Sequence, residues 1–213
     1  MKRPQLLILI RHGATEANVR RPYVLQGRRT DMPLSEIGRR QALATRRTLE
    51  DRSIQFVFSS PLRRALQTAE ILAEPHGVPV KCVEELIECD VGRWEGLSWQ
   101  EVRQQDGPYL DAFELDPGSV PYAGGESFGQ VQARAVPAIQ RLIREHNEGN
   151  LIVVTHNIVA RVYVAHVIGT PVARARTIRQ DNGGITIVSI HDGKESLVTL
   201  NSVMHLEGLL DDF

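Results

Sequence analysis

Three apolar stretches of this chain stop abruptly at the same kind of residue. Leu6–Ile10 runs into Arg11-His12-Gly13, Phe56–Phe58 into Ser59-Ser60-Pro61-Leu62-Arg63-Arg64, and Leu151–Val154 into Thr155-His156-Asn157. Each run is short enough for a strand buried on both faces, and each is followed by a turn that opens toward a helical pattern. Ligands of open α/β sheets bind where the carboxyl ends of strands meet helix starts. Placed side by side in parallel, these strands bring imidazoles and guanidiniums together with free helix-terminal N–H groups, a combination suited to an anion.

Further short runs at Val80–Val83, Ile185–Ile190 and Leu197–Leu200 predict additional strands. Helical spacing lies between them. Ser35 heads one helix with Ile37, Ala44 and Thr48 on one side, and Ser60-Pro61 starts another in which Leu62, Ala65, Ala69 and Leu72 recur. Ser127 caps a long one with Phe128, Val131, Ala135, Ala138, Ile139, Leu142 and His146 along one face, and a kink is expected at Pro137. The alternation predicts an α/β fold, a three-layer α/β/α sandwich on a mixed, mainly parallel sheet, with residues 1–213 as a single domain. Residues 106–126, rich in Gly and Pro, read as a loop-rich excursion that forms a site wall or lid. The tail from Leu209 to Phe213 is expected to fray.

Composition narrows the function. With 25 basic against 26 acidic side chains in 213 residues, the chain has no broad positive field for nucleic acid or a membrane surface. After Met1, Lys2 and Arg3, the first apolar run is too short for a signal-peptide core or a membrane span. Cys82 and Cys89 fit no CxxC or zinc pattern, so a reducing, cytoplasmic setting is expected. Any anion it binds must therefore be bound locally. A phosphoryl group fits best, because guanidinium forks match its oxygens and a neutral imidazole nitrogen can attack phosphorus.

The residues in order resemble the histidine phosphatase superfamily, also called phosphoglycerate mutase-like. Its opening signature Arg-His-Gly-x-Thr stands as Arg11-His12-Gly13-Ala14-Thr15. The resemblance continues through Asn18, Gln26-Gly27, Pro33-Leu34-Ser35, Ser59 to Ala65, Glu88, Gly92-Arg93-Trp94-Glu95-Gly96, Gly124-Gly125-Glu126-Ser127, Val154-Thr155-His156 and Arg161. It implies that His12 is a nucleophile forming a phosphohistidine, with Arg11, Arg64 and His156 around the phosphoryl group and Asn18 adding a hydrogen bond. It also selects Arg64 over Arg63, makes Glu88 the proton donor and acceptor, and sets Gln26 and Gly27 on the substrate side. The arginines lower the pKa of Glu88 and bound phosphate raises it, so Glu88 is expected to become a competent acid mainly once substrate arrives. The same cations keep the His12 lone pair available.

Departures from the family pattern fall at Ala14, which leaves the surroundings of His12 less polar, at Thr155 for the commoner Ser, and at Asn157. The family commonly has Gly after the second His, where this chain has Asn157; Asn tolerates positive φ, so the turn is expected to survive with the Asn157 side chain facing substrate. Cys89 reads as a buried small hydrophobe, Trp94 and Trp99 as packing residues with Trp94 able to wall the pocket, and His166 as structural. His76, His146, His191 and His205 are placed on the surface. Zinc held by His12, His156 and Glu88 lacks the short ligand spacing of zinc hydrolases, so neither metal nor cofactor is expected.

The resulting expectation is a metal-independent phosphomonoesterase that hydrolyses a small phosphorylated metabolite through phosphorylated His12. A phosphoglycerate mutase that needs a bisphosphate primer and a non-catalytic binding module on the same fold are the alternatives. The resemblance also admits a homodimer.

Overall fold

The computed structural model describes residues 4–210. Six strands form one sheet: β1 (Gln5–Arg11), β2 (Phe56–Ser59), β3 (Val80–Cys82), β4 (Leu151–Thr155), β5 (Ile185–His191) and β6 (Lys194–Ser202), in the order β3-β2-β4-β1-β5-β6. The pairs β3·β2, β2·β4 and β4·β1 are parallel, while β1·β5 and β5·β6 are antiparallel. The three runs that end in His or Arg are thus adjacent and parallel, with Arg11 opposite Thr155 and Ser59 opposite Val154.

Alternation along the central strands builds a core on each face of the sheet. Leu7, Leu9, Leu151 and Val153 pack on one side with α5 (Phe128–Glu145) and α6 (Asn157–Val167). Ile8, Ile10, Ile152 and Val154 pack on the other with Ala65, Ala69 and Leu72 of α3 (Arg63–Ala73) and Leu49 of α2 (Glu36–Leu49). Covering both faces is what fixes the strands as parallel neighbours; truncating one such side chain to Ala costs about 2–5 kcal/mol. Ser35 and Ser127 cap α2 and α5 by accepting from Gly38 N and Gln130 N, and α5 continues through Pro137 as a single helix.

Several boundaries differ from expectation. The helix after β2 starts at Arg63 with Leu62 as its N-cap, two residues later than Ser60-Pro61 suggested, which leaves the Ser60 hydroxyl free for another role. Residues 107–115 are helical, forming the second part of α4 (Trp99–Leu115), so the loop is confined to 116–126. The helix breaks at Asp106 (φ −132, ψ 29), and Pro108 falls in the first turn beyond the break, where a missing N–H costs little. Asp106 accepts from Trp94 Nε1 at 2.7 Å and pairs with Arg93. Trp94 is fully buried, ringed edge-on by Trp99, Tyr109, Phe113 and Tyr122. It supports the pocket lining from behind and does not itself wall the pocket.

The connection 116–126 is packed tightly onto the domain. A Cβ on Gly125 would lie 2.0 Å from Asp90 O, and Tyr122 and Ala123 are buried. Of the tail expected to fray, Asp211–Phe213 lie outside the described residues, as do Met1–Arg3, while Leu209 O accepts from Gln41 Nε2 at 2.8 Å. His146 packs its ring against Phe56 and Phe58, and the half-buried His205 bonds Thr45 and Gly183 O, so neither is a surface residue as expected. No helix among the described residues is long and apolar enough to cross a membrane.

Candidate active site

The site is built at the carboxyl ends of β1, β2 and β4. Backbone bonds continue the strand register into the turns, with His12 N donating to Thr155 O at 2.9 Å and Ser60 N to Val154 O at 3.0 Å. His12 is therefore held by the sheet itself. The Nδ2 of Asn182 donates to His12 O at 2.9 Å, Gly13 N donates to Thr68 Oγ1 at 3.1 Å, and Ala14 N donates to Gln41 Oε1 at 2.8 Å.

The partners of the His12 ring define its tautomer. Nδ1 lies 2.7 Å from Gly13 O, which can only accept, and Nε2 lies 3.2 Å from Arg64 Nε, which can only donate. Nδ1 therefore carries the proton and Nε2 presents a lone pair. Burial, then the charges of Arg64 and Arg11, holds the imidazole pKa well below its ordinary value. The expectation credited the cations alone; burial is the larger cause.

Arg64, 1% exposed, also donates through Nη1 to Thr30 O and through Nη2 to Gly27 O, both at 3.0 Å. Those carbonyls are fixed in turn by Glu95, whose Oε1 accepts from Gly27 N and Thr30 N. The neighbouring Arg63 is exposed, its backbone N–H bound to Asp31.

His156 stands with its ring 5.1 Å from that of His12, centroid to centroid. Its Nε2 is 2.7 Å from Ser60 Oγ, which also accepts from Leu62 N; with the Ser60 proton directed to Nε2, Nδ1 is the donor. Among the described residues that Nδ1 is buried without a partner, as is Arg11 Nε, while Arg11 Nη1 donates to Gln180 O. A buried polar group left unpaired costs about 1–3 kcal/mol.

Glu88, 4% exposed, accepts from Cys89 N at 2.9 Å and from Ile158 N in the first turn of α6 at 3.3 Å. Burial raises its pKa despite these bonds and the charges of Arg64 and Arg11. Here the expectation is corrected: the carboxyl group is biased toward its acid form before any substrate arrives, because burial outweighs the arginines. The turn carrying it is clamped by Arg134, which donates to the carbonyls of Glu85, Ile87 and Glu88 and pairs with Glu126.

Arg11, His12 and Glu88 line a cavity of about 40 Å³ with Asn18, Gln26, Asn157, Tyr23 and Tyr122, whereas Arg64 and His156 are buried outside that lining. Asn18 Oδ1 accepts from Thr15 N, and Gln26 Oε1 accepts from Thr15 Oγ1. Gly27 contributes its carbonyl to Arg64, and a Cβ there would lie 2.7 Å from Cys89 O. Asn157 departs from expectation, since it is the first residue of α6 and needs no positive φ; His156 acts as the N-cap. The cavity opens into a vestibule of about 500 Å³ that shares Arg11, Asn18, Asn157, Tyr23 and Tyr122 and adds Trp99, Arg161 and Arg176.

Ser60, Asn182, Arg134 and Glu95 were not singled out for these roles in the sequence. Asn182 had one signal, a turn-forming Asp181-Asn182-Gly183-Gly184 cluster before β5; Arg134 had another, a long cation on an otherwise buried helix face. Among the described residues no group of three or more His, Cys, Asp or Glu side chains is placed to hold a metal ion.

Fold and site together define an α/β protein that gathers arginines and imidazoles at its strand ends. The profile of the histidine phosphatase superfamily (branch 1) matches residues 7–203. Phosphoserine phosphatase 1 of Hydrogenobacter thermophilus is 28% identical over 200 residues, covering 94% of this chain and 93% of that protein. The adenosylcobalamin/alpha-ribazole phosphatase of Escherichia coli is 31% identical over 196 residues, covering 92% and 95% respectively. The solved structure of Bacillus stearothermophilus YhfR is similar with a TM-score of 0.87 at 32% identity, covering 95% of this chain and 99% of that one. The chain belongs to the histidine phosphatase superfamily and has its phosphoglycerate mutase-like fold. Its phosphatase relatives support a hydrolase acting on phosphate esters.

Proposed function

We propose that this chain is a metal-independent phosphomonoesterase that works through a phosphohistidine on His12. The arrangement that carries the reading is that of the His12 ring: Nδ1 is spent on Gly13 O, and Nε2, whose lone pair accepts from Arg64 Nε, belongs to a ring that lines the cavity with Arg11 and Glu88. In the first step Nε2 attacks phosphorus, the bond from phosphorus to the alcohol oxygen breaks, and Glu88 delivers its proton to that oxygen. Arg11, Arg64 and His156 Nδ1–H supply positive charge and donors to the phosphoryl oxygens, and Asn18 adds a further bond. Water then attacks the phosphohistidine and Glu88 takes a proton from it. The phosphorus–nitrogen bond breaks, and inorganic phosphate leaves a neutral His12.

The inner cavity is sized for a phosphoryl group, so the alcohol portion lies in the vestibule against Tyr23, Tyr122 and Asn157, with 116–126 as a fixed wall. The test is hydrolysis of p-nitrophenyl phosphate with excess EDTA over about pH 5 to 8, for wild type and His12→Ala in parallel. Activity that survives the chelator and disappears in a folded His12→Ala supports the reading. Turnover retained by that variant overturns the covalent step, and transfer to 3-phosphoglycerate only with its bisphosphate primer would make the chain a mutase.

A further inference from the structure

The connection 116–126 brings to the site one polar group that the scheme above leaves idle. Tyr122 is 4% exposed, its ring packed against Trp94, Phe113 and Phe128, and its backbone N–H donates to Glu126 O. The ring is therefore locked in place. Tyr109 and Tyr163 spend their hydroxyls on Pro121 O and Glu195, whereas the hydroxyl of Tyr122 has no partner among the described residues. Burial holds this phenol well above its ordinary pKa, so it stays a neutral hydroxyl that accepts as well as donates. Tyr122 lines the inner cavity together with His12 and Glu88. That cavity is about 40 Å³, so a water in it that meets Glu88 is within reach of Tyr122.

The second chemical step creates a demand for such a group. A water that aims one lone pair at phosphorus has two O–H bonds to place, and Glu88 takes only one of them. Acceptors for the other are scarce among the side chains of the inner cavity. Arg11 only donates, Asn18 Oδ1 and Gln26 Oε1 already accept from Thr15, and Asn157 Oδ1 is a buried atom. Tyr23 is half-buried and has no aromatic ring packed on it among the described residues, which leaves Tyr122 as the acceptor fixed in position. We propose that the Tyr122 hydroxyl is a catalytic group of the second step, accepting the second O–H of the attacking water and so aiming its lone pair at the phosphohistidine. This rests on the phosphomonoesterase reading and deepens it. As the new oxygen–phosphorus bond forms, the phosphorus–nitrogen bond breaks and its electron pair returns to His12 Nε2. One proton of the water passes to Glu88; the other stays on its oxygen, held by Tyr122, and leaves with inorganic phosphate.

An alcohol in place of water has a single O–H, which goes to Glu88, and offers nothing to Tyr122. The role therefore separates water from alcohols as acceptors of the phosphoryl group. Tyr122→Phe keeps the packed ring and removes only the hydroxyl. The experiment follows formation and decay of phosphohistidine from p-nitrophenyl phosphate by rapid quench, and then measures the ratio of ethyl phosphate to inorganic phosphate when ethanol is added. In Tyr122→Phe, decay in water is expected to slow about threefold to tenfold, the range of one neutral hydrogen bond, with a smaller effect on formation. The share of ethyl phosphate should rise by the same factor, because transfer to ethanol does not use the lost acceptor. Circular dichroism and melting curves confirm that the variant is folded. Decay that is unchanged in folded Tyr122→Phe, or formation and decay slowed alike, overturns the assignment while leaving the covalent mechanism intact. Turnover of p-nitrophenyl phosphate by wild type with no phosphohistidine, or no turnover at all, overturns both.

Discussion

The Nε of Arg64 donates to the Nε2 of His12 across 3.2 Å, while its two Nη groups are tied to Thr30 O and Gly27 O. One guanidinium thus fixes the tautomer of the imidazole and is itself fixed by the loop that Glu95 holds. A lysine carries its three donors on one nitrogen and cannot span partners that Arg64 meets from three separate nitrogens. Arg64→Lys is therefore expected to lower kcat/KM on p-nitrophenyl phosphate by about 100-fold or more, since removing a preorganised donor to a developing charge costs about that much. A loss under about threefold would show that charge alone suffices at this position.

Glu88 sets the alkaline side of the pH profile. Its folded pKa lies above the ordinary 4.5 because burial disfavours the carboxylate. The acid form needed for the first step is thus populated below that raised value and lost as pH rises through it. On an alkyl phosphate, kcat/KM should fall on the alkaline side, and Glu88→Gln should remove that fall while lowering the rate about 100-fold or more. With p-nitrophenyl phosphate, whose phenolate leaves with little protonation, the loss should be about tenfold or less. Equal losses on both esters would count against Glu88 as the acid.

How much of this was legible beforehand follows from where the information sits. The strand runs that end in Arg11, Ser59 and Thr155 are local patterns, and their parallel adjacency follows from having to bury both faces. The resemblance separated Arg64 from Arg63, whose sequence surroundings are alike and whose fates, burial against His12 and exposure, are set by the helix start at Arg63. What the sequence concealed are contacts between distant segments. Ser60 reaches His156 across 96 positions and Arg134 reaches Ile87 across 47, and no periodicity encodes either. Helix α4 was hidden for a local reason, since Gly107-Pro108 reads as a breaker until Asp106 is seen to absorb the break.

Stability should decline in mild acid because of the two site histidines. Burial holds His12 and His156 well below the ordinary 6.5, so below that value the unfolded chain binds protons that the folded chain refuses. Stability supplied by the neutral rings is full above about 6.5 and is lost as pH falls toward their folded pKa values. The double variant His12→Asn, His156→Asn should show a flatter decline in urea midpoint between about pH 6.5 and 4.5 than wild type. Parallel declines in the two proteins would locate the acid sensitivity elsewhere.

Arg134 tests whether the clamp on the Glu88 turn governs chemistry as well as stability. Its Nη1 donates to Glu85 O and Ile87 O at 2.7 Å each and its Nη2 to Glu88 O at 3.1 Å, while Glu126, which pairs with it, accepts from Asp90 N at 2.8 Å. Arg134→Gln leaves buried carbonyls short of donors, at a cost of about 1–3 kcal/mol in unfolding free energy. A purely structural role would end there. If the clamp also keeps Glu88 dry, loosening it admits water and moves the carboxyl pKa back toward 4.5, so the alkaline fall of kcat/KM should shift to lower pH. The shift should be seen with an alkyl phosphate and be weak with p-nitrophenyl phosphate. An unmoved alkaline limb in a folded but destabilised Arg134→Gln would confine Arg134 to holding the turn in place.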